Sequence, residues 1–297
     1  IGILSGIYQY IYSETIFGNQ PQANRLLLLF SDNEALGQWL SRLFPLLVAL
    51  LVLNFKPQFI YYSVIFLLLI SIDTLVYLSG ERTSLGLMFA SSLFIILLMK
   101  KLRLFRIITI LFSILIIVLI SLLNPEIKER NIDYTINQLG LDDDNKKVYI
   151  FSPLHENYIK TSLKMFNDNK LFGVGTNNYR NFCNKEKYKL DHKSCSTHPH
   201  HNYIQVLAET GIIGSIFFLS IVLYFIIKTL IYIYYSIKKI SYLNDYQICL
   251  IACFLCTLLP TLPTMNFFNN WINIIYYLPL GFYLQSLYNK KIQINLS

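Results

Sequence analysis

The chain has 297 residues, of which 54% are hydrophobic and 14% charged, and its formal net charge is +8. With a mean hydropathy of +0.46, this composition excludes an ordinary soluble domain and indicates an integral membrane protein. The positive charge does not indicate nucleic-acid binding, because membrane proteins concentrate lysine and arginine in their cytoplasmic loops.

Membrane-spanning helices are predicted wherever about 20 mostly apolar residues follow one another. The chain begins at Ile1 inside an apolar run, without an initiator methionine or a basic leader, which favours a fragment lacking its N-terminus. The predicted spans lie at 36–54, 58–78, 84–99, 107–124, 211–235, 247–266 and 272–288, with the end of a further span at 1–12. The sequence therefore predicts an all-α, polytopic helical bundle.

Basic residues between the spans set the expected orientation. They form four clusters: Lys56; Lys100, Lys101, Arg103 and Arg106; Lys238 and Lys239; and Lys290 and Lys291. If the spans alternate, all four clusters fall on one side, which the positive-inside rule makes cytoplasmic. The long segment 125–210 then lies on the opposite side, and loops of such length are usually functional. We expect N-terminal membrane helices at 1–124, a catalytic loop at 125–210 and C-terminal membrane helices at 211–297.

The large loop is expected to contain short helices and turns. Residues 142–147, DDDNKK, are typical of a solvated turn, whereas Ile159, Leu163 and Phe166 have helical spacing. The Asn, Asp and Gly residues that follow should end that helix. From 201 onward, HNYIQVLAE predicts a helix on the membrane surface that leads into the next span.

The cysteines fall into two groups. Cys249, Cys253 and Cys256 lie in a predicted span, where they are expected to be inert, whereas Cys183 and Cys195 share the large loop. If this loop faces an oxidising compartment such as the bacterial periplasm, these two residues can form a disulfide. Two unpaired thiols are the alternative.

Three of the five histidines lie in STHPHHNY, residues 196–203, just before a predicted helix. His200 and Tyr203 are three residues apart, so a helix that included both would place them on one face, with Glu209 about two turns further along. A histidine of near-neutral pKa at a water-exposed membrane surface suits a general base that activates a hydroxyl. The alternative is a polar cap on an interfacial helix.

Metal and nucleotide chemistry are both disfavoured. A zinc site would have to use Cys195, His198, His200 and His201, but the stretch lacks the CxxC or HxxxH pairs of such sites. The GVG turn at 173–175 lacks the strand and helix context of a nucleotide-binding motif.

Two arginines follow glycine-containing turns. Arg82 lies in LSGERTSLG at the outer end of a span, and Arg180 lies in GVGTNNYRNFC. A guanidinium at the membrane surface suits bidentate binding of a phosphate or diphosphate. For Arg82 the alternative is a side chain that snorkels or pairs with Glu81.

The order of these motifs resembles the O-antigen ligase and O-antigen polymerase superfamily. The resemblance rests on SGERT (79–83), FGVGTNNYRNFC (172–183) and HPHHNYIQVLAETGIIG (198–214), and it spans nearly the whole chain. It implies a helical bundle of the C-type glycosyltransferase kind, in the bacterial inner membrane, with a large periplasmic loop containing short helices. It also implies transfer of an undecaprenyl-diphosphate-linked glycan to a hydroxyl of lipid A core or of another glycan, without a metal or a nucleotide cofactor. The motifs are common to ligases and polymerases.

The resemblance also implies roles for individual residues. His200 matches the essential histidine and is the candidate base, and Glu209 matches the glutamate that follows it and is expected to be catalytic as well. Arg82 matches the arginine that holds the diphosphate, and Arg180 matches an arginine of members with paired loop cysteines. We expect Tyr203 to contact the substrate as well.

Two positions depart from the family pattern. His201 directly follows the essential histidine, where the family usually has asparagine. Many members have an arginine shortly before the aromatic residue that opens the loop helix, whereas here His155 precedes Tyr158, and only a protonated His155 would replace that cation in substrate binding. An alternative from another class is a transporter or flippase of lipid-linked sugars, against which stand the few charges in the spans, chiefly Arg42 and Asp73.

Overall fold

A computed structural model describes residues 2–20, 26–27, 35–54, 58–138 and 151–296. Every regular element in these ranges is helical and none is a strand, which confirms the predicted all-helical fold. The cluster residue Lys56 and the predicted turn at 142–147 lie outside the described residues.

The helices follow the apolar runs of the sequence. In chain order they are α1 Gly2–Tyr12, α2 Leu36–Leu53, α3 Phe59–Leu78, α4 Arg82–Leu98, α5 Arg103–Leu123, α6 Pro125–Lys128, α7 Tyr134–Gln138, α8 Pro153–Asp168, α9 Tyr179–Phe182, α10 Asn202–Ile237, α11 Asp245–Thr257 and α12 Asn270–Leu296. A π-helical turn, Glu129–Asp133, separates α6 from α7.

Within the described ranges, four helices are long and apolar enough to cross a membrane: α2, α3, α5 and α10. Shorter apolar helices are α4 and α11. Apolar runs of this kind become helices in a bilayer because a helix satisfies its backbone hydrogen bonds within one segment. The first five predicted spans, from 36–54 to 211–235, each correspond to one of these helices.

The predicted span at 247–266 is wrong in its second half. Helix α11 ends at Thr257, and residues 258–269 contain no helix. Pro260 and Pro263 account for this, because proline lacks a backbone N–H and disfavours helical geometry at the residue before it. We call residues 258–269 the C-terminal loop.

The chain divides into two compact units, which are described separately. The first comprises Ile1–Asn137 and Leu243–Cys256, and the second comprises Gln138–Tyr242 and Thr257–Ser297. The regional boundaries expected at 124 and 210 follow the membrane rather than the packing, and they stay a prediction.

The first unit contains a buried ion pair between α3 and α5. The guanidinium of Arg106 donates to both carboxylate oxygens of Asp73, at 2.8 and 2.9 Å, and to the hydroxyl of Ser92 at 2.6 Å. Ser113 donates to the same carboxylate at 2.8 Å. Arg106 is therefore buried and paired, as a charge within a membrane protein needs to be, and its place in the cytoplasmic cluster stays a prediction. The other three members of its cluster are exposed.

In the second unit, helix α10 is broken at Gly211, whose φ of 65° and ψ of −164° interrupt the helical backbone. Residues 170–183, which we call the GVG segment, begin alongside this break. Their backbone groups replace the hydrogen bonds that the helix loses there. With the donor named first, these bonds are Ile212 to Lys170 at 2.8 Å, Ile213 to Leu171 at 3.3 Å, Val174 to Ala208 at 3.0 Å and Gly175 to Glu209 at 2.9 Å. Two motifs that are separate in sequence thus form one backbone-paired unit.

Glycine is required on both sides of this pairing. A Cβ at Gly211 would collide with the carbonyl of Leu171, and a Cβ at Gly173 would collide with the backbone of Glu209. Both glycines also have positive φ, where other residues are strained. The close approach fixes the GVG turn against the head of the long apolar part of α10.

Helix α8, Pro153–Asp168, forms where the sequence predicts a helix in the large loop. The buried residues are Tyr158, Thr161, Ser162 and Met165. Of the three apolar residues at helical spacing, Leu163 is exposed while Ile159 and Phe166 are half-buried. Tyr158 packs against His200 and Met165 packs against Tyr179, so this face of α8 contacts both the histidine turn and α9.

Candidate functional site

The histidine stretch folds as a tight turn before α10. His200 has a φ of 55°, in the left-handed region, and helix α10 begins only at Asn202. The prediction that His200 and Tyr203 share a helix face is therefore wrong, because the helix does not include His200. His201 is the N-cap, and its Nδ1 accepts a hydrogen bond from the amide of Ile204 at 3.3 Å. Histidine here does what asparagine does at many helix starts, since both present a side-chain acceptor to a free amide.

Aromatic rings surround the side chain of His200. Its ring stacks on Tyr158 with centroids 5.6 Å apart, and the His155 and His198 centroids lie at 5.4 and 3.9 Å. Its Nε2 lies 3.2 Å from the hydroxyl of Ser196. The structure thus brings His155 and His200, two of the predicted site residues, into one cluster. Helix α8 contributes His155 and Tyr158 to it.

Burial determines the protonation of His200 and His198. Desolvation lowers the pKa of His200 to about 3, and the nearby His198 and His155 lower it further. Desolvation also lowers the pKa of His198 to about 4, with a smaller contribution from the charge of Arg180. The expected near-neutral pKa of His200 is therefore wrong in this state, and the ring is neutral at physiological pH.

The C-terminal loop holds the turn from the other side. The amide of Thr264 donates to the carbonyl of His200 at 2.8 Å, and Nε2 of His198 donates to the carbonyl of Thr264 at 3.2 Å. Further along, Gln205 donates to Asn266 at 2.7 Å and accepts from the amide of Phe267 at 3.0 Å. The sequence did not single out Thr264, Gln205 or Asn266 as site residues. The asparagines at 266, 269 and 270, between two apolar segments, were the signal of a polar loop there.

Glu209 holds the segment that carries Arg180. Its buried carboxylate accepts hydrogen bonds from the amides of Asn177 at 2.6 Å and Tyr179 at 2.9 Å. The side-chain oxygen of Asn177 in turn accepts from Arg180 at 2.8 Å and from Asn266 at 3.0 Å. One network therefore runs from the helix, through the GVG segment, to an exposed guanidinium.

Tyr203 lies near these groups but uses its hydroxyl elsewhere. The hydroxyl donates to the carbonyl of Leu258 at 2.8 Å, and the ring packs edge-on against Phe218 with centroids 5.2 Å apart. His155 is oriented by Ser152, whose hydroxyl lies 2.7 Å from its Nδ1. Substrate contacts by Tyr203 and His155 stay a prediction.

Arg82 belongs to the first unit, where it is the first residue of α4. Its guanidinium donates to the carbonyl of Tyr134 at 3.1 Å. The carboxylate of the neighbouring Glu81 accepts from the amide of Gly37 at 2.9 Å and from Ser84 at 3.2 Å. Arg130 donates to the carbonyl of Gly80 at 3.3 Å, which places a second guanidinium beside the SGERT turn.

The loop cysteines Cys183 and Cys195 form a disulfide, with their Cα atoms 5.0 Å apart. Cys183 is fully buried and packs with Met165, Tyr179 and Tyr188. This small core joins α8, α9 and the disulfide loop, and it supports the segment that bears Arg180. The sulfur of Cys195 is engaged in this bond, and no three His, Cys, Asp or Glu side chains among the described residues are placed to hold a metal ion.

Comparison with known proteins adds one match. A family model described as O-Antigen ligase matches residues 64–219, just over half of the chain. The matched range contains the SGERT turn, the GVG segment and the histidine turn. A search of curated proteins found no match.

Proposed function

The chain belongs to the O-antigen ligase family, and from this premise we propose that it is a membrane glycosyltransferase. Its donor is a glycan linked to undecaprenyl diphosphate, and its acceptor is a sugar hydroxyl of lipid A core or of another glycan. The observation that carries this proposal is the neutral ring of His200, fixed in a strained turn and sharing a compact unit with the exposed guanidinium of Arg180.

The proposed reaction takes place on the periplasmic side of the bacterial inner membrane, with 125–210 as the catalytic loop. The basic clusters of the sequence favour this orientation. The Cys183–Cys195 disulfide supports it as well, because disulfides persist in oxidising compartments such as the periplasm.

In the proposed step, the acceptor hydroxyl oxygen attacks the anomeric carbon of the donor. The bond between this carbon and the diphosphate oxygen breaks, its electron pair stays on the diphosphate, and the hydroxyl proton passes to His200. Only a neutral imidazole can take that proton, and burial keeps His200 neutral. A bound diphosphate raises the pKa of a nearby imidazole, so His200 becomes a stronger base when the donor is present.

The arginines are proposed to stabilise the leaving diphosphate. Negative charge grows on it as the glycosidic bond breaks, and fixed guanidinium groups lower the energy of that state. The guanidinium of Arg180 donates to the side-chain oxygen of Asn177, and this bond fixes the orientation that we propose for diphosphate binding. The role of Arg82 rests on the family resemblance of the SGERT turn, and it does not depend on the geometry of the second unit.

For Glu209 we propose a positioning role instead of the expected catalytic one. Its carboxylate is 1% exposed and is occupied by two backbone amides, so it acts through the segment it holds. His155 is proposed to contact the substrate beside His200. Tyr203 would do so through its ring, because its hydroxyl is bonded to Leu258.

Purified protein supplied with undecaprenyl-diphosphate-linked oligosaccharide and EDTA tests this function. Gel analysis with lipid A core should give a single core-dependent adduct for a ligase, whereas a ladder without core would identify a polymerase. If the donor binds but no product forms under either condition, the glycosyltransferase proposal fails and transport of lipid-linked sugars takes its place.

A further inference from the structure

The turn at the start of the GVG segment exposes two large apolar side chains. Leu171 is 61% and Phe172 is 72% exposed, although the three residues that follow are half-buried. Isolated exposed apolar residues are common on proteins, but contiguous apolar patches mark contact surfaces.

Backbone hydrogen bonds join this turn to the head of a predicted span. The carbonyls of Lys170 and Leu171 accept from Ile212 and Ile213, the first residues after the break in α10. These two isoleucines are each 41% exposed. The exposed surface of α10 continues through Ile216, Phe217, Leu219 and Leu223. Leu171 and Phe172 therefore extend the apolar surface of a membrane-spanning helix.

We propose that Leu171 and Phe172 insert into the bilayer and anchor the GVG segment at the membrane surface. The exposed apolar face of a spanning helix contacts lipid, and the turn is paired with the first residues of that face. Apolar side chains at such a boundary sink about 5–10 Å into the region between headgroups and acyl chains. Lys170, exposed and directly before them, has the reach to bring its ammonium to anionic headgroups.

Lipid fits this surface better than a protein partner does. The sequence from Gly211 to Ile227 contains no charged residue, so the α10 part of the patch offers no charge for a protein partner to recognise. The close approach of Gly173 and Gly211 to each other's segments also keeps the backbone of the turn at the level of the span.

Insertion itself does not depend on the proposed function. Its consequence does, because the anchored segment would hold Arg180 near the depth of a lipid diphosphate.

Tryptophan fluorescence with brominated lipids tests the insertion. The two native tryptophans, Trp39 and Trp271, are replaced with phenylalanine, and Phe172→Trp is compared with two references in nanodiscs that hold one copy. Phe217→Trp reports a lipid-facing position of α10, and Leu190→Trp reports an exposed position in the disulfide loop. Each nanodisc contains phospholipids brominated either near the carbonyl end or near the terminal methyl of the acyl chain.

We expect shallow bromines to quench Phe172→Trp at least about twofold more than Leu190→Trp, and more than deep bromines do, as for a side chain at the acyl boundary. Quenching no greater than that of Leu190→Trp would overturn the proposal. Leu171→Trp serves in the same comparison if Phe172→Trp does not accumulate. Transfer activity is recorded separately, so quenching without activity would keep the anchor and remove only the proposed function.

Discussion

The amide of Thr264 donates a hydrogen bond to the carbonyl of His200 at 2.8 Å and so ties the C-terminal loop to the histidine turn. His200 needs such support because its positive φ is unfavourable for a residue with a Cβ. Gln205 supplies it indirectly, by bonding both Asn266 and the amide of Phe267. His200, the proposed base, is therefore positioned by a loop that follows it by about 60 residues, and the first prediction concerns that loop.

Replacing Gln205 with leucine should lower kcat for transfer without abolishing folding. Gln205 is fully buried and cannot touch a substrate, but its loss frees the loop that fixes His200. A displacement of about 1 Å at a catalytic group can cost roughly 100-fold in rate, so we expect a loss of about 10- to 100-fold. Asn181→Ala, at an exposed position, is the control, and equal activity in Gln205→Leu and the control would contradict the positioning role.

His200→Gln should express and bind donor but lose about 100- to 10,000-fold in kcat, the range expected for removal of a general base. The matched control is His201→Asn, which keeps an acceptor at the N-cap and should retain activity. Initial rates and donor KM are measured for both variants. Near-normal kcat in His200→Gln would remove the base assignment.

Glu209→Gln should reduce stability and activity together. The amide that replaces one carboxylate oxygen leaves a backbone N–H of Asn177 or Tyr179 without an acceptor, which costs about 1–3 kcal/mol for a buried donor. Because Arg180 is carried on the same segment, the donor KM should rise. Melting temperature and KM are compared with those of Glu186→Gln, an exposed control. A large fall in kcat with unchanged melting and KM would instead favour direct catalysis by Glu209.

Arg180→Lys and Arg82→Lys should each raise the donor KM by about tenfold although both keep the charge, because lysine cannot form the bidentate contact of a guanidinium with a diphosphate. Arg103→Lys is the control, since Arg103 donates to the carbonyls of Met99 and Leu97 at the start of α5. Binding of donor is followed by fluorescence alongside initial rates. A KM for Arg82→Lys that matches the control would favour a purely interfacial arginine at that position.

Hydropathy predicted most of the fold because a bilayer demands long apolar helices, whatever they pack against. It could not predict the partner of Arg106, because Asp73 lies on another helix and pairing across helices leaves no local pattern. Nor could it find the end of α11, where leucines around two prolines look apolar enough to span. Composition is therefore a poor guide where tertiary contacts or proline geometry outweigh it.

The site was predictable in its residues but not in its geometry. The histidine motif identified His200, yet helical spacing failed because the chain enters the left-handed region there and His201, not His200, caps the helix. The lowered pKa of His200 could not be predicted from the sequence either, because its neighbours Tyr158 and Thr264 come from distant segments. Spacing along one helix contains no information on either.

Acidification should destabilise the protein through the buried histidines. Burial lowers the pKa of His198 to about 4 and that of His200 to about 3, whereas histidine in an unfolded chain has a pKa of about 6.5. The unfolded state therefore binds more protons between these values, and stability falls as the pH drops below about 6.5. At pH 5 the loss is at most roughly 2 kcal/mol for each histidine.

The measurement is the apparent melting temperature in detergent at pH 7.5 and pH 5, at a fixed scan rate. His198→Gln can still donate to Thr264 but cannot titrate, so its melting temperature should fall less between the two pH values than that of the unmodified chain. His192→Gln, which changes an exposed histidine, should leave the fall as it was. If His198→Gln loses as much stability on acidification as His192→Gln does, protonation of His198 is not part of the acid sensitivity. The histidine turn would then be less buried than its contacts with Tyr158 and Thr264 imply.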